Sequence, residues 1–127
     1  MYTLSLLANP STLQQMGAAA ANMTVSQVVP FPYRSATLVL VRNYQAAMRA
    51  NKEENFSHNS LEGYINAKLL VHGLKGAGGN LTRQRFMAAL ETNIELDGYN
   101  LNFKGGNRNG SIYTDLVIAN AKGGFLK

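Results

Sequence analysis

The sequence predicts a mixed α/β fold, with helices set between strands of a single small domain. Three observations carry this expectation. The chain has 127 residues, 46% of them hydrophobic, enough for one buried core. Met23–Val29 is rich in β-branched residues, as a strand requires. Downstream segments repeat their apolar residues at three- and four-residue steps, the period of an amphipathic helix.

Taken in order, Tyr2–Leu7 alternates as a strand and is closed by the turn signal Asn9-Pro10-Ser11. Ser11 is placed to cap a short helix that runs through Leu13 and Met16 toward Asn22. After the strand at Met23–Val29, Pro30-Phe31-Pro32 must run extended, because each proline fixes its own φ and restricts the residue before it. Ser35 then caps a helix reaching about Asn51, with Val41, Tyr44, Ala47 and Met48 as its buried stripe.

Residues 51–57 are a polar loop. The next helix starts near Asn59, with Asn59 as cap and Glu62 completing a capping box. Leu61, Tyr64, Ile65, Leu69 and Val71 spread apolar surface over a wide arc, which predicts cover on more than one side. Gly76–Gly79 ends it. Thr82 caps a third helix, with Leu81 and Phe86 at the spacing of a hydrophobic staple. Two alternating arms, 99–103 and 112–118, flank the turn-rich 105–110 and predict a β-hairpin. Gly123-Gly124 marks a last turn.

The charge balance is twelve Lys and Arg against seven Asp and Glu, a net of +5. The basic residues are scattered, and no aromatic interleaves with them as a base-stacking platform needs, so a solvated surface is favoured over nucleic-acid binding. The absence of cysteine excludes disulfides, thiolate metal sites and cysteine nucleophiles. No uninterrupted apolar stretch is long enough to span a bilayer, and Met1–Ser5 lacks the basic start of an intact signal peptide.

Sites of chemistry are sparse. His58 and His72 stand fourteen apart with no carboxylate at ligand spacing, so no metal or catalytic site is expected from them, and loop and helix-surface positions account for both. Gly76–Gly79 follows a helix, whereas phosphate loops follow a strand. Glu53-Glu54 has no partner carboxylate at a spacing that suggests acid–base work. Asn-X-Ser/Thr occurs at Asn22, Asn55, Asn80 and Asn109, as chance allows in a chain rich in those residues. No catalytic constellation emerges, and neither an enzyme nor a cofactor is expected.

An ordered set of segments carries a family resemblance. Residues 25–30 (VSQVVP), 42–48 (RNYQAAM), 60–68 (SLEGYINAK), 81–86 (LTRQRF) with 88–91, and 110–125 together resemble the type I periplasmic solute-binding proteins. The branch they resemble most serves ABC importers of branched-chain amino acids and amides. The resemblance implies α/β/α three-layer lobes joined by hinge crossovers, with this chain covering only a C-terminal portion. It further implies that residues 1–29 and 96–127 belong to one lobe and 30–95 to the other, with the last crossover near 95–99. On this reading the protein is periplasmic, its partners are a small solute and an ABC permease, and the piece self-associates or needs further polypeptide.

The cleft positions implied by the resemblance are Ser5, Leu6 and Leu7 after the first strand, and Ser57, Asn59 and Ser60 at a helix start. Helix starts present unpaired N–H groups to an anion or carbonyl, although plain capping is the favoured account of Asn59 and Ser60. Amino-acid receptors of the family place an acidic residue near the first of these loops. Residues 5–8 (SLLA) hold none, which leaves amides, carboxylates or aromatic acids as solutes. Two other classes stay open: a small basic nucleic-acid-binding module, and a ligand-sensing regulatory domain on the same scaffold.

Overall fold

A computed structural model describes residues 1–33 and 37–126. Its elements run β1 (Tyr2–Leu4), α1 (Pro10–Met16) with a 3₁₀ turn at Gly17–Ala20, β2 (Thr24–Gln27), α2 (Val39–Ala50), α3 (His58–Ala77), α4 (Arg83–Leu90), β3 (Asn93–Leu96), β4 (Tyr99–Asn102), β5 (Asp115–Ala119) and β6 (Phe125–Leu126). The mixed α/β class expected from the sequence is what forms.

The strands make two sheets. One has the order β1-β2-β5-β6, with β1 parallel to β2 and the other neighbours antiparallel. The other is the β3–β4 hairpin. Buried side chains divide the same way. Leu13 of α1 packs with Val25, Val117, Ala119 and Phe125 of the four-stranded sheet. Leu40, Val41 and Tyr44 of α2 and Leu61 and Ile65 of α3 pack with Ile94, Leu96, Tyr99 and Leu101 of the hairpin. Two cores result, linked by the extended stretch after β2 and the stretch before β5.

This grouping corrects one expectation. The arms 99–103 and 112–118 are not partners, because β4 pairs with β3 through the two-residue turn Asp97-Gly98, while β5 pairs with β2. Both turn residues have positive φ (53° and 88°), the geometry that matches a hairpin's twist and that Asp-Gly adopts at low cost. Leu96, Tyr99 and Leu101 pack with the helices and with Val29 just after β2, and the chain joins the first sheet again at Asp115.

Helix starts also differ from expectation in detail. Asn9, not Ser11, caps α1: its Oδ1 accepts the Thr12 N–H at 2.9 Å, and Ser11 donates to the same oxygen. Ser57, not Asn59, caps α3, in a box completed by Ser60 instead of Glu62. The box residue can be serine because its hydroxyl reaches back to the Ser57 N–H at 3.2 Å. Thr82 caps α4 as expected, its Oγ1 accepting the Arg85 N–H. Ser35 lies outside the described residues, and α2 is described from Val39 with Leu38 in the cap position.

α3 is covered on more than one side, as expected: Leu61 and Ile65 are buried against α2 and the hairpin, and α4 crosses its later turns, whereas Leu70, Val71 and Leu74 remain exposed. Its close crossing with α4 depends on Gly73, where an added Cβ would lie 2.5 Å from the Phe86 ring.

The caps give a direct comparison. Ser57→Ala should lower unfolding free energy by about 1 kcal/mol, while Asn59→Ala, at an exposed position, should stay within about 0.5 kcal/mol. Urea unfolding of the two variants reads the difference, and equal losses would mean that Asn59 shares the cap.

Candidate functional site

The carboxyl ends of β1 and β2, the start of β5 and the amino end of α3 meet at the junction of the two cores. The side chain that joins them is Gln27, the last residue of β2, which is completely buried. Its Nε2 donates to Asp115 Oδ2 at 3.1 Å, and Tyr113 Oη donates to the same oxygen at 3.4 Å. A carboxylate only accepts, so the Gln27 amide must turn its Oε1 the other way, toward His58 Nε2 at 2.8 Å. His58 is thereby the donor: its proton sits on Nε2, and Nδ1 carries a lone pair.

His58 occupies the first turn of α3, and only 3% of it is exposed. Phe31, Tyr33 and Phe125 surround its ring with centroids 5.5–6.2 Å away. Burial in this aromatic box pulls its pKa from 6.5 down to about 4, so the imidazole is neutral at physiological pH. Neither His58 Nδ1 nor the Tyr33 hydroxyl has a hydrogen-bond partner among the described residues. Desolvation, with the nearby Tyr44 hydroxyl adding to it, raises the Tyr33 pKa to about 12. The expectation that His58 rests on a loop or helix surface is overturned, because folding carries the start of α3 into the interior beside β2.

The sequence-derived positions fall on either side of this junction. Ser5, Leu6 and Leu7 form the turn that ends β1, where Ser5 is buried and donates its N–H to Ser26 O at 2.8 Å. Leu6 and Leu7 are exposed. At the start of α3, Ser57 and Ser60 are half-buried and Asn59 is exposed. Tyr44 Oη holds this end from below, accepting the Ser57 N–H at 3.2 Å and lying 2.5 Å from Ser60 Oγ. Capping thus occupies the Ser57 and Ser60 hydroxyls. The turn Ser5–Leu7 reaches the α3 start through Ser26 and then Gln27–His58; no direct hydrogen bond joins the two segments among the described residues.

Gln27, His58, Tyr33 and Tyr44 were not singled out from the sequence as site residues. Gln27 had a usable signal: it alternates with Val25 and Val29 and shares their buried side, so it is a polar residue on an apolar face. His58 had none, since its burial depends on a partner 31 residues away.

A second concavity of about 760 Å³ opens between α3, β4 and the 108–114 stretch. Its floor is apolar (Val29, Ile65, Leu101), and Glu62, Asn66 and Arg108 stand among its lining. Among the described residues no cluster of His, Asp or Glu could hold a metal ion, and no helix is long and apolar enough to cross a membrane.

Titration of His58 makes stability depend on pH with a definite sign. Between pH 6.5 and about 4 the unfolded chain takes up a proton at this histidine and the folded chain does not, so stability falls as pH drops through that window. The loss should be on the order of 3 kcal/mol between pH 7 and 4, and His58→Gln should remove most of this slope. Urea midpoints across that range measure it; a slope unchanged in the variant would assign the dependence elsewhere.

Comparison with known proteins agrees with this architecture. The periplasmic binding protein family model matches residues 1–124. An extracellular ligand-binding receptor from Verminephrobacter eiseniae EF01-2 superposes over 99% of the chain with a TM-score of 0.82 and 26% identity. A possible leucine/isoleucine/valine-binding protein from Rhodopirellula baltica SH 1 does so over 99% with 0.83 and 30%. A substrate-binding periplasmic protein from Ralstonia solanacearum covers 92% with 0.74 and 27%. In each case the chain spans only 35–37% of the other protein's length. No functionally curated protein gives a significant match. With a family match across nearly every residue and superposition on three solved members, this chain belongs to the periplasmic binding protein family.

Proposed function

We propose that this chain is the part of a non-catalytic periplasmic receptor that supplies one side of a solute cleft and the hinge beside it, in the service of an ABC importer. The observation that carries the reading is the junction itself. The turn Ser5–Leu7 closes strand β1 at its carboxyl end, where β1 and β2 run parallel, and the start of α3 is tied to the end of β2 through Gln27 and His58. Crevices outside the carboxyl ends of parallel strands are where open α/β sheets bind ligands.

Two separately packed cores joined by extended crossovers suit hinge closure, in which a solute with higher affinity for the closed form shifts the balance toward it. Under this reading residues 1–27 and the segment from about Asp115 onward move as one unit, and the helices with the hairpin as the other. The solute contacts proposed here are the backbone groups and side chains of Ser5, Leu6 and Leu7, with Asn59 and the α3 amino end facing them. Ser57 and Ser60 set the position of that helix end.

Residues 5–8 carry no carboxylate, so an ammonium group has no counter-charge on this loop. A small amide or carboxylate fits better, since the amino end of a helix favours partial negative charge. Further polypeptide of the receptor completes the cleft.

A segment exchange tests the reading. The matching segment of the Rhodopirellula baltica protein is replaced by this chain, and thermal unfolding is followed with added amides, carboxylates, aromatic acids and leucine. The expected result is a solute-dependent rise in Tm for an amide or carboxylate, and none for leucine. A folded chimera whose Tm responds to no small solute would overturn it.

A further inference from the structure

Asn109-Gly110 is the one Asn-Gly step in the sequence, and it lies in the irregular stretch that carries the chain from β4 to β5. Asn109 is exposed, and its side-chain amide has no hydrogen-bond partner among the described residues. Only its backbone is engaged, the N–H donating to Asn107 Oδ1 at 3.1 Å. The Gly110 N–H donates to nothing among the described residues, while its carbonyl accepts the Asn102 N–H at 2.7 Å. An added Cβ at Gly110 would lie 2.2 Å from the Phe103 ring. Packing of that ring on bare backbone demands glycine, and glycine leaves its own nitrogen unshielded.

We infer that Asn109-Gly110 is a site of spontaneous covalent modification in the folded chain, passing through a succinimide to aspartate and isoaspartate. Base takes the Gly110 amide proton, and the nitrogen attacks Asn109 Cγ. As the N–Cγ bond forms, the Cγ–Nδ2 bond breaks and Nδ2 leaves as ammonia. One water then opens the ring. Cleavage of N–Cγ gives aspartate. Cleavage between the nitrogen and the Asn109 main-chain carbonyl carbon gives isoaspartate, whose backbone runs through Cγ and is longer by one carbon. Nothing is oxidised or reduced, and water is the sole co-reactant. The adjacent Arg108 is a cation, which favours the anionic nitrogen.

Competing sites are held by their surroundings. Asp97-Gly98 could close the same ring, but Lys68 and Asn43 both donate to Asp97 Oδ2, and the Gly98 N–H donates to Glu95 Oε1. Asn107 is pinned at both ends of its amide, Nδ2 donating to Asn102 O at 2.7 Å and Oδ1 accepting from Asn109. Every other asparagine precedes a residue whose side chain hinders the attacking nitrogen, or precedes proline, which has no N–H. Either product places a carboxylate beside Arg108 in the wall of the 760 Å³ concavity. Isoaspartate also lengthens the segment that Asn102 and Phe103 hold, which breaks the Asn102–Gly110 hydrogen bond. The inference rests on this loop alone and is independent of the receptor reading, which the segment exchange tests separately.

Ageing of the intact chain at mildly alkaline pH, read by peptide mapping with mass spectrometry and by enzymatic methylation of isoaspartate, tests it. Modification at Asn109 should run at least about tenfold faster than at any other asparagine or at Asp97, a barrier difference of about 1.4 kcal/mol. Isoaspartate should be among the products, and the Asn102 amide resonance should shift in step with its appearance. Asn109→Gln, which must close a larger and slower ring, should abolish the reaction and hold that resonance fixed in the aged sample. In urea the rate at Asn109 should change little, whereas isomerisation at Asp97 should rise as its bonds are released. Earlier modification at another residue, or a rate at Asn109 that rises about tenfold or more in urea, would overturn the inference by showing that the fold protects this step. An Asn102 resonance unmoved by isoaspartate would overturn the stated consequence for the loop.

Discussion

Gln27 is a primary amide with no access to water, and a group of that kind must satisfy a donor and an acceptor from within the protein. It does so by reaching across elements distant in sequence: 88 residues ahead to Asp115, and 31 ahead to His58. The first bond sits beside the register of β2 on β5. The second draws the amino end of α3 against the end of that strand. Removing either partner would strand a buried polar group at a cost of about 1–3 kcal/mol, so the three elements hold one arrangement together.

The rest of the junction follows from that constraint. With the Gln27 oxygen committed, the imidazole of His58 must donate through Nε2, and burial in the aromatic box favours its neutral form. The same placement sets Ser57 and Ser60 over the Tyr44 hydroxyl, so capping and core packing reinforce each other at one helix end. Tyr99 adds a brace nearby, with its hydroxyl 2.6 Å from Ser111 Oγ and 3.4 Å from Val28 O, touching the stretches that carry the chain between its two cores. The crossovers are thus tied by side chains as well as by backbone.

Much of the fold was legible in the sequence, and the errors are instructive. The strand at residues 24–27, the extended proline stretch, the helix over 83–90 and its threonine cap all follow from short-range rules. The hairpin was misplaced although its signal was present: Asp97-Gly98 between two alternating runs is a strong short-range hairpin mark, and the glycine-rich 105–110 drew attention from it. The caps at Asn9 and Ser57 were each assigned to a residue two positions downstream. Several cap formers compete in these stretches, and backbone dihedrals choose among them. Of the candidate site, the turn at Ser5–Leu7 and the helix start at Ser57–Ser60 were named through the resemblance, whereas Gln27, His58 and Tyr33 were not.

Local composition and spacing were sufficient for the class of fold and for most element positions, while the family was reached through a resemblance carried by an ordered series of short segments. These depend on interactions within a few residues, which a linear reading contains. The division into two cores, the return of the chain before Asp115 and the burial of His58 were settled only in the assembled molecule. Each depends on which strand lies beside which, and pairing between segments tens of residues apart is decided by the summed burial of whole faces.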